Sequence, residues 1–93
     1  MKKEPVYLFA NVRRPCNYRP NVTAIVLFGL EVMGEDEPVY LELRFIDYDS
    51  LQVEGDHLML SLEEALEYAR FDYGIEERDW REMNQQEINR IEW

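Results

Sequence analysis

Few side chains in this chain are chemically reactive at neutral pH. His57 is its only histidine and Cys16 its only cysteine. Glu54 and Asp56 flank His57 closely enough to imitate a metal or acid–base cluster. A closed zinc site, however, takes about four Cys or His ligands, and the chain offers one of each. His57 therefore reads as an edge or turn residue. Cys16 lacks a nucleophile's sequence signature; Arg13, Arg14 and Arg19 would lower its pKa if they surrounded it, but an ordinary loop cysteine is the simpler reading. Asp47-Tyr48-Asp49 begins as calcium loops do, then fails, because Leu51 stands where the third ligand belongs and no glycine follows it. The scattered glycines build no phosphate loop. Carboxylates are so plentiful that any fold brings some together without implying hydrolysis. These patterns point to no catalytic residue, no metal and no cofactor.

Two charged segments are better candidates for recognition. Arg13, Arg14 and Arg19, with Tyr18 among them, form a loop suited to holding an anion or stacking on a base. Glu35, Asp36 and Glu37 form an acidic hairpin tip suited to docking a basic partner. Charge as a whole is lopsided: residues 1–30 carry a net +4 and residues 31–93 a net −14, giving −10 overall. Such a surface repels nucleic-acid phosphates and anionic lipid and attracts basic proteins; solubility alone is the plainer use of the same charge.

The elements that position these residues read as strands first and helix late. At 93 residues, 46% hydrophobic, the chain suits one domain with a modest core. A lone cysteine allows no internal disulfide, no apolar run is long enough to span a bilayer, and the start lacks a signal-peptide core. The expected setting is cytoplasmic. Strand 1 has Val6, Leu8, Ala10 and Val12 as its core face. Two prolines make 13–20 a loop. Strand 2, about 21–33, carries Val22, Ala24, Val26, Phe28, Leu30 and Val32 on one face. Its other face carries Thr23, Ile25, Leu27, Gly29 and Glu31, so it is apolar on both sides, as central strands are. After a hairpin at 34–37, strand 3 points Val39, Leu41, Leu43 and Phe45 inward and Tyr40, Glu42 and Arg44 outward. Matching core faces sets Phe28 opposite Leu43 and Ile25 opposite Ile46. Segments 51–54 and 57–60, split at Gly55-Asp56, suggest a small hairpin or a bent fourth strand.

The helix signal is strongest at 62–73. Ser61 and Glu64 form a capping box, Leu62, Ala65, Leu66, Ala69 and Tyr73 make the buried stripe, and Gly74 terminates it. Tyr68 and Phe71 lie off the stripe, where the C-terminal segment is expected to cover them partly. Ile75 and Trp80 anchor a short irregular or strand segment. Asn84 and Glu87 repeat the capping signature before Ile88 and Ile91, although Asn89, Ile91 and Trp93 also suit a strand.

This register leaves a second sheet face with Phe9, Ile25 and Ile46 in one row, Tyr7, Leu27 and Arg44 in the next, and Glu42 opposite Gly29. Apolar rows of that width mark interaction sites unless something covers them. The candidates are the tail through Ile88, Ile91 and Trp93, a second copy, or another protein.

The segment 61–69, with Tyr73-Gly74-Ile75 and Trp80, resembles the C-terminal half of small, acidic, uncharacterised bacterial proteins, some of which look like immunity proteins encoded beside toxins. The resemblance implies an α+β domain that acts by binding another protein, and it carries over no functional residue. The expectation is therefore a single α+β domain: an antiparallel sheet of about four strands, the 62–73 helix on the face carrying Val26 and Leu43, and a C-terminal segment folded back. Its expected function is non-catalytic protein binding, with a protein partner or a homodimer, no nucleic acid and no membrane. Anion or small-ligand binding by the 13–19 loop is the alternative.

Overall fold

A computed structural model describes residues 3–91. Alternating apolar strands and one well-capped helix give an α+β architecture. Its strands are β1 (Tyr7–Asn11), β2 (Ala24–Leu30), β3 (Val39–Asp47), β4 (Gln52–Met59) and the two-residue β5 (Arg81–Glu82). All pairings are antiparallel, in the order β4-β3-β2-β1-β5. The helices are α1 (Leu62–Tyr73) and the short α2 (Gln85–Arg90), with a 3-10 turn at Glu77–Asp79.

Local signals place α1 where the sequence puts it. The Ser61 hydroxyl accepts from the Glu64 amide at 3.1 Å, and Gly74 ends the helix in the left-handed region at φ 69°. The return arm of the cap differs by one residue: the Glu64 carboxylate accepts from the Leu60 amide at 3.0 Å, not from Ser61. At α2 the Asn84–Glu87 box is complete in both directions, which makes this segment helix rather than strand. Segments 51–54 and 57–60 form one continuous strand with a bulge. Arg44 pairs with Gly55 and Phe45 with Val53, leaving Glu54 as the extra residue. Leu51, at φ 57°, turns the chain between β3 and β4.

The register corrects three expectations. First, β2 and β3 are offset by two residues, with Phe28 opposite Leu41 and Ile25 opposite Arg44; an even offset preserves the faces. Second, β1 slips by one, so Phe9 pairs with Val26 and Ala10 with Ile25, which turns every β1 side chain over. Both faces of β1 are apolar, so alternation alone does not choose between them. Bulk does: Tyr7, Phe9, Phe28, Phe45 and Tyr48 gather on one face, with ring centroids 4.5–5.2 Å apart. Third, α1 packs on the opposite face from the one expected, over Ile25, Leu27, Tyr40 and Met59 rather than Val26 and Leu43. That face suits a close helix because Ala65 and Ala69 meet it without bulk, both being wholly buried. Gly29 serves the same side, since a Cβ there would lie 2.6 Å from Pro5 Cβ.

The tail folds back, as expected, but onto the aromatic face. Ile88 and Ile91 pack there against the cluster of Phe9, Val26, Leu43 and Phe45. Trp93 lies outside the described residues. Because the tail is on that side, it does not cover Tyr68 and Phe71, which are exposed.

Candidate functional site

The six residues expected to share an open face do not. Ile25 and Leu27 are wholly buried beneath α1, and Arg44 lies on their side of the sheet. Tyr7 and Phe9 belong to the opposite face, and Phe9 is buried there. Ile46 is half-buried and lies two residues beyond Arg44, which faces Ile25. The one-residue slip of β1 separates the group, and α1 takes the place expected for a partner.

The three arginines of the 13–19 loop also diverge, each toward a neighbour within the chain. Arg13 pairs with Asp79 at 3.2 Å, and Arg19 with Glu54 at 3.6 Å. The Arg14 guanidinium donates to the Phe71 carbonyl, while the Arg13 and Arg14 amides both donate to the Tyr73 carbonyl at 3.0 and 2.9 Å. These contacts satisfy carbonyls at the carboxyl end of α1, where positive charge is also favoured by the helix dipole. Glu35, Asp36 and Glu37 are exposed between β2 and β3. Lys3 partly neutralises them, with its ammonium 3.0 Å from Glu37 and its amide donating to the Asp36 carbonyl at 2.7 Å.

Beneath the end of α1 lies a charged cluster that charge patterning alone placed in solvent. Glu42, 3% exposed, stands 3.5 Å from Arg44, and Arg44 stands 4.0 Å from Glu54. Gly55 makes room for this arrangement, since a Cβ there would lie 3.1 Å from the Arg44 guanidinium. Burial pushes the Glu42 carboxyl above the usual carboxylate range despite the opposing pull of Arg44. Burial, aided by Glu42, pushes the Tyr73 phenol up to about 12. Such interior charges are costly to desolvate, and the attraction between Glu42 and Arg44 offsets part of that cost. His57 pairs across from Glu42 and is exposed. Among the described residues, no three His, Cys, Asp or Glu side chains stand close enough to share a metal ion.

The strongest surface feature is aromatic. Tyr18 is 89% exposed and Phe71 79%; Tyr68 is about half exposed. An open groove of about 770 Å³ separates the 13–19 loop from the end of α1. Tyr18 and Phe71 both line it, with Arg70, Asp72 and Glu76 among the charged residues around them. On the other side of Phe71, a shallow dimple of about 330 Å³ is bounded by Glu67, Tyr68 and Phe71. Spacing off the buried stripe flagged Tyr68 and Phe71; nothing in the sequence brings Tyr18 beside them except the contacts that tie the loop to α1. Among the described residues no helix is long and apolar enough to cross a membrane. Compared with models of protein families, with curated proteins and with solved structures, the chain shows no significant match.

Proposed function

We propose that this protein is a non-catalytic protein-binding module whose docking surface joins the outer side of α1 to the 13–19 loop. The observation that carries this reading is the exposed trio Tyr18, Phe71 and Tyr68 along one groove and its adjoining dimple. Aromatic side chains are enriched at interfaces and supply much of their energy, and exposed rings of this size cost hydration free energy until covered. Arg14 and Arg70 offset Asp72 and Glu76 within the groove, so the preference for a basic partner comes from Glu67 beside the dimple and from the net charge of −10, which would speed its approach. An immunity-type inhibitor that masks such a partner is the form of this reading best suited to that charge. Anion binding by Arg13, Arg14 and Arg19 has less support, since each guanidinium already faces an internal acceptor.

Panning a random dodecapeptide library on the immobilised protein tests the proposal. Enriched peptides should be rich in Arg and Lys. Their affinity should fall at least about tenfold with Phe71→Ser or Tyr18→Ser, substitutions exposed enough to leave the melting temperature unchanged. Peptides indifferent to both substitutions, or no enrichment at all, would overturn it.

A further inference from the structure

We propose that the free edge of β4 accepts an extended, basic segment of a partner protein as a sixth strand, independently of the surface on α1. β4 is eight residues long and has one neighbour in the sheet, β3. An edge strand presents backbone donors and acceptors to any extended chain, and main-chain pairing then supplies affinity while alternate side chains supply selectivity. The opposite edge, β5, has only two residues and offers no comparable template.

Side chains along β4 define what fits. The bulge at Glu54 interrupts the ladder, so the regular run is 55–59, within which the Asp56 carbonyl already accepts from the Arg44 guanidinium at 3.3 Å. Within it, Asp56 and Leu58 point to the aromatic face, opposite Leu43 and Leu41. Leu58 is 51% exposed and ends the row Tyr7, Phe28, Leu41, in which the other three are half-buried. An added strand with an apolar residue beside Leu58 would continue that row and cover it. The Asp56 carboxylate has no ion pair among the described residues, and a cation beside it would gain one. The matching segment therefore carries Lys or Arg two residues from a branched apolar side chain.

A second copy of this chain fits poorly. Two-fold antiparallel pairing preserves the faces, so it must be centred on a residue. Centred on Gly55, it sets Glu54 against Asp56 of the copy; centred on Asp56, it sets that carboxylate against itself. Centred on His57, it sets Asp56 against Leu58. Like charges directly opposite destabilise the first two registers. The His57-centred register, and one centred on Leu58 that sets Leu58 against itself, give Asp56 no cation, so a basic strand fits the edge better than a second copy does.

The probe is the acetylated, amidated peptide Thr-Lys-Thr-Ile-Thr-Lys-Thr, whose symmetry presents the same pattern in either strand direction. Amide hydrogen exchange and backbone chemical shifts would be read on the full chain. Saturating peptide should slow exchange at least about tenfold in 55–59, and the effect should vanish with Asp56→Lys, with a backbone N-methylated peptide, and with Glu in place of both lysines. Phe71→Ser should leave it intact, which separates this proposal from the reading of α1. No protection, equal binding of the N-methylated peptide, shifts confined to α1, or β4 protection that rises with protein concentration alone would each overturn it.

Discussion

α1 meets its face of the sheet through Ala65, Ala69 and Tyr73, all wholly buried, whereas α2 meets the other face without a single fully buried residue. Small side chains let α1 approach closely enough to seal Ile25 and Leu27 and to enclose the Glu42–Arg44 pair. α2 has six residues, too few to be stable alone. Polar contacts hold it instead: Glu87 accepts from Tyr48 at 2.9 Å and from Arg81 at 2.8 Å, and Arg90 donates to the Asp49 carbonyl at 2.9 Å. Both sides carry ionisable groups, but α1 is held chiefly by sealed apolar packing, whereas α2 is held chiefly by exposed polar and ionic contacts. The two sides should respond differently to truncation and to acid.

Truncation should show the largest contrast. Leu27→Ala empties a sealed site and should cost about 3–4 kcal/mol, against about 1 kcal/mol for Ile88→Ala at a half-buried one. Urea melts compare them; equal losses would end the distinction between the faces. Acid comes next. The Arg81 guanidinium holds the Glu87 carboxyl down at about 2, helped by Asn84 and Tyr48 and opposed by burial. A lowered folded pKa gives stability that is present above the unfolded value near 4.5 and is lost as pH falls toward 2. After solvent screening the loss should be on the order of 1 kcal/mol, it should register first as exchange at α2, and Glu87→Gln should abolish the acid dependence.

The smallest effect tests the enclosed pair on the other side. Glu42 is shifted upward by burial, against Arg44 and His57 and with Asp72, so its ionised form is disfavoured in the fold. That penalty is present above the folded pKa and relieved as pH falls through it. Glu42→Gln should therefore melt slightly higher than wild type at pH 8, with the gap closing under mild acid. A variant less stable than wild type at pH 8 would show that the attraction to Arg44 outweighs desolvation.

What could be read from the chain alone follows the range of the interaction. Ser61, Gly74, Asn84 and Glu87 act within one turn of backbone, and both helices are legible from them. Ile25 and Leu27 were recognisable as an apolar row, yet which element covers them depends on long-range packing. Glu42 and Arg44 look outward by charge, and only their mutual pairing beneath α1 permits burial. The register of β1 is hidden because Tyr7 and Phe9 compete with Leu8 and Ala10 for the same role. Tyr68 and Phe71 were visible as residues off the stripe. Their exposure follows from the tail crossing to the other face, and their proximity to Tyr18 from the arginine loop closing the end of α1.

The pairing of β1 with β5 also bears on how the chain reaches this state. Leu8 lies opposite Glu82 and Phe9 opposite Arg81, contacts that join two segments far apart in the sequence. Closing so long a loop costs entropy before any contact repays it. The hairpins of β2, β3 and β4 and the local turns of α1 can form without it, so they are the natural nucleus. Until β5 arrives, β1 has an unpaired outer edge and Phe9 lacks the Arg81 guanidinium that sits 4.5 Å from its ring centroid. During synthesis or refolding, that interval is when β1 is most open to pairing with the wrong chain.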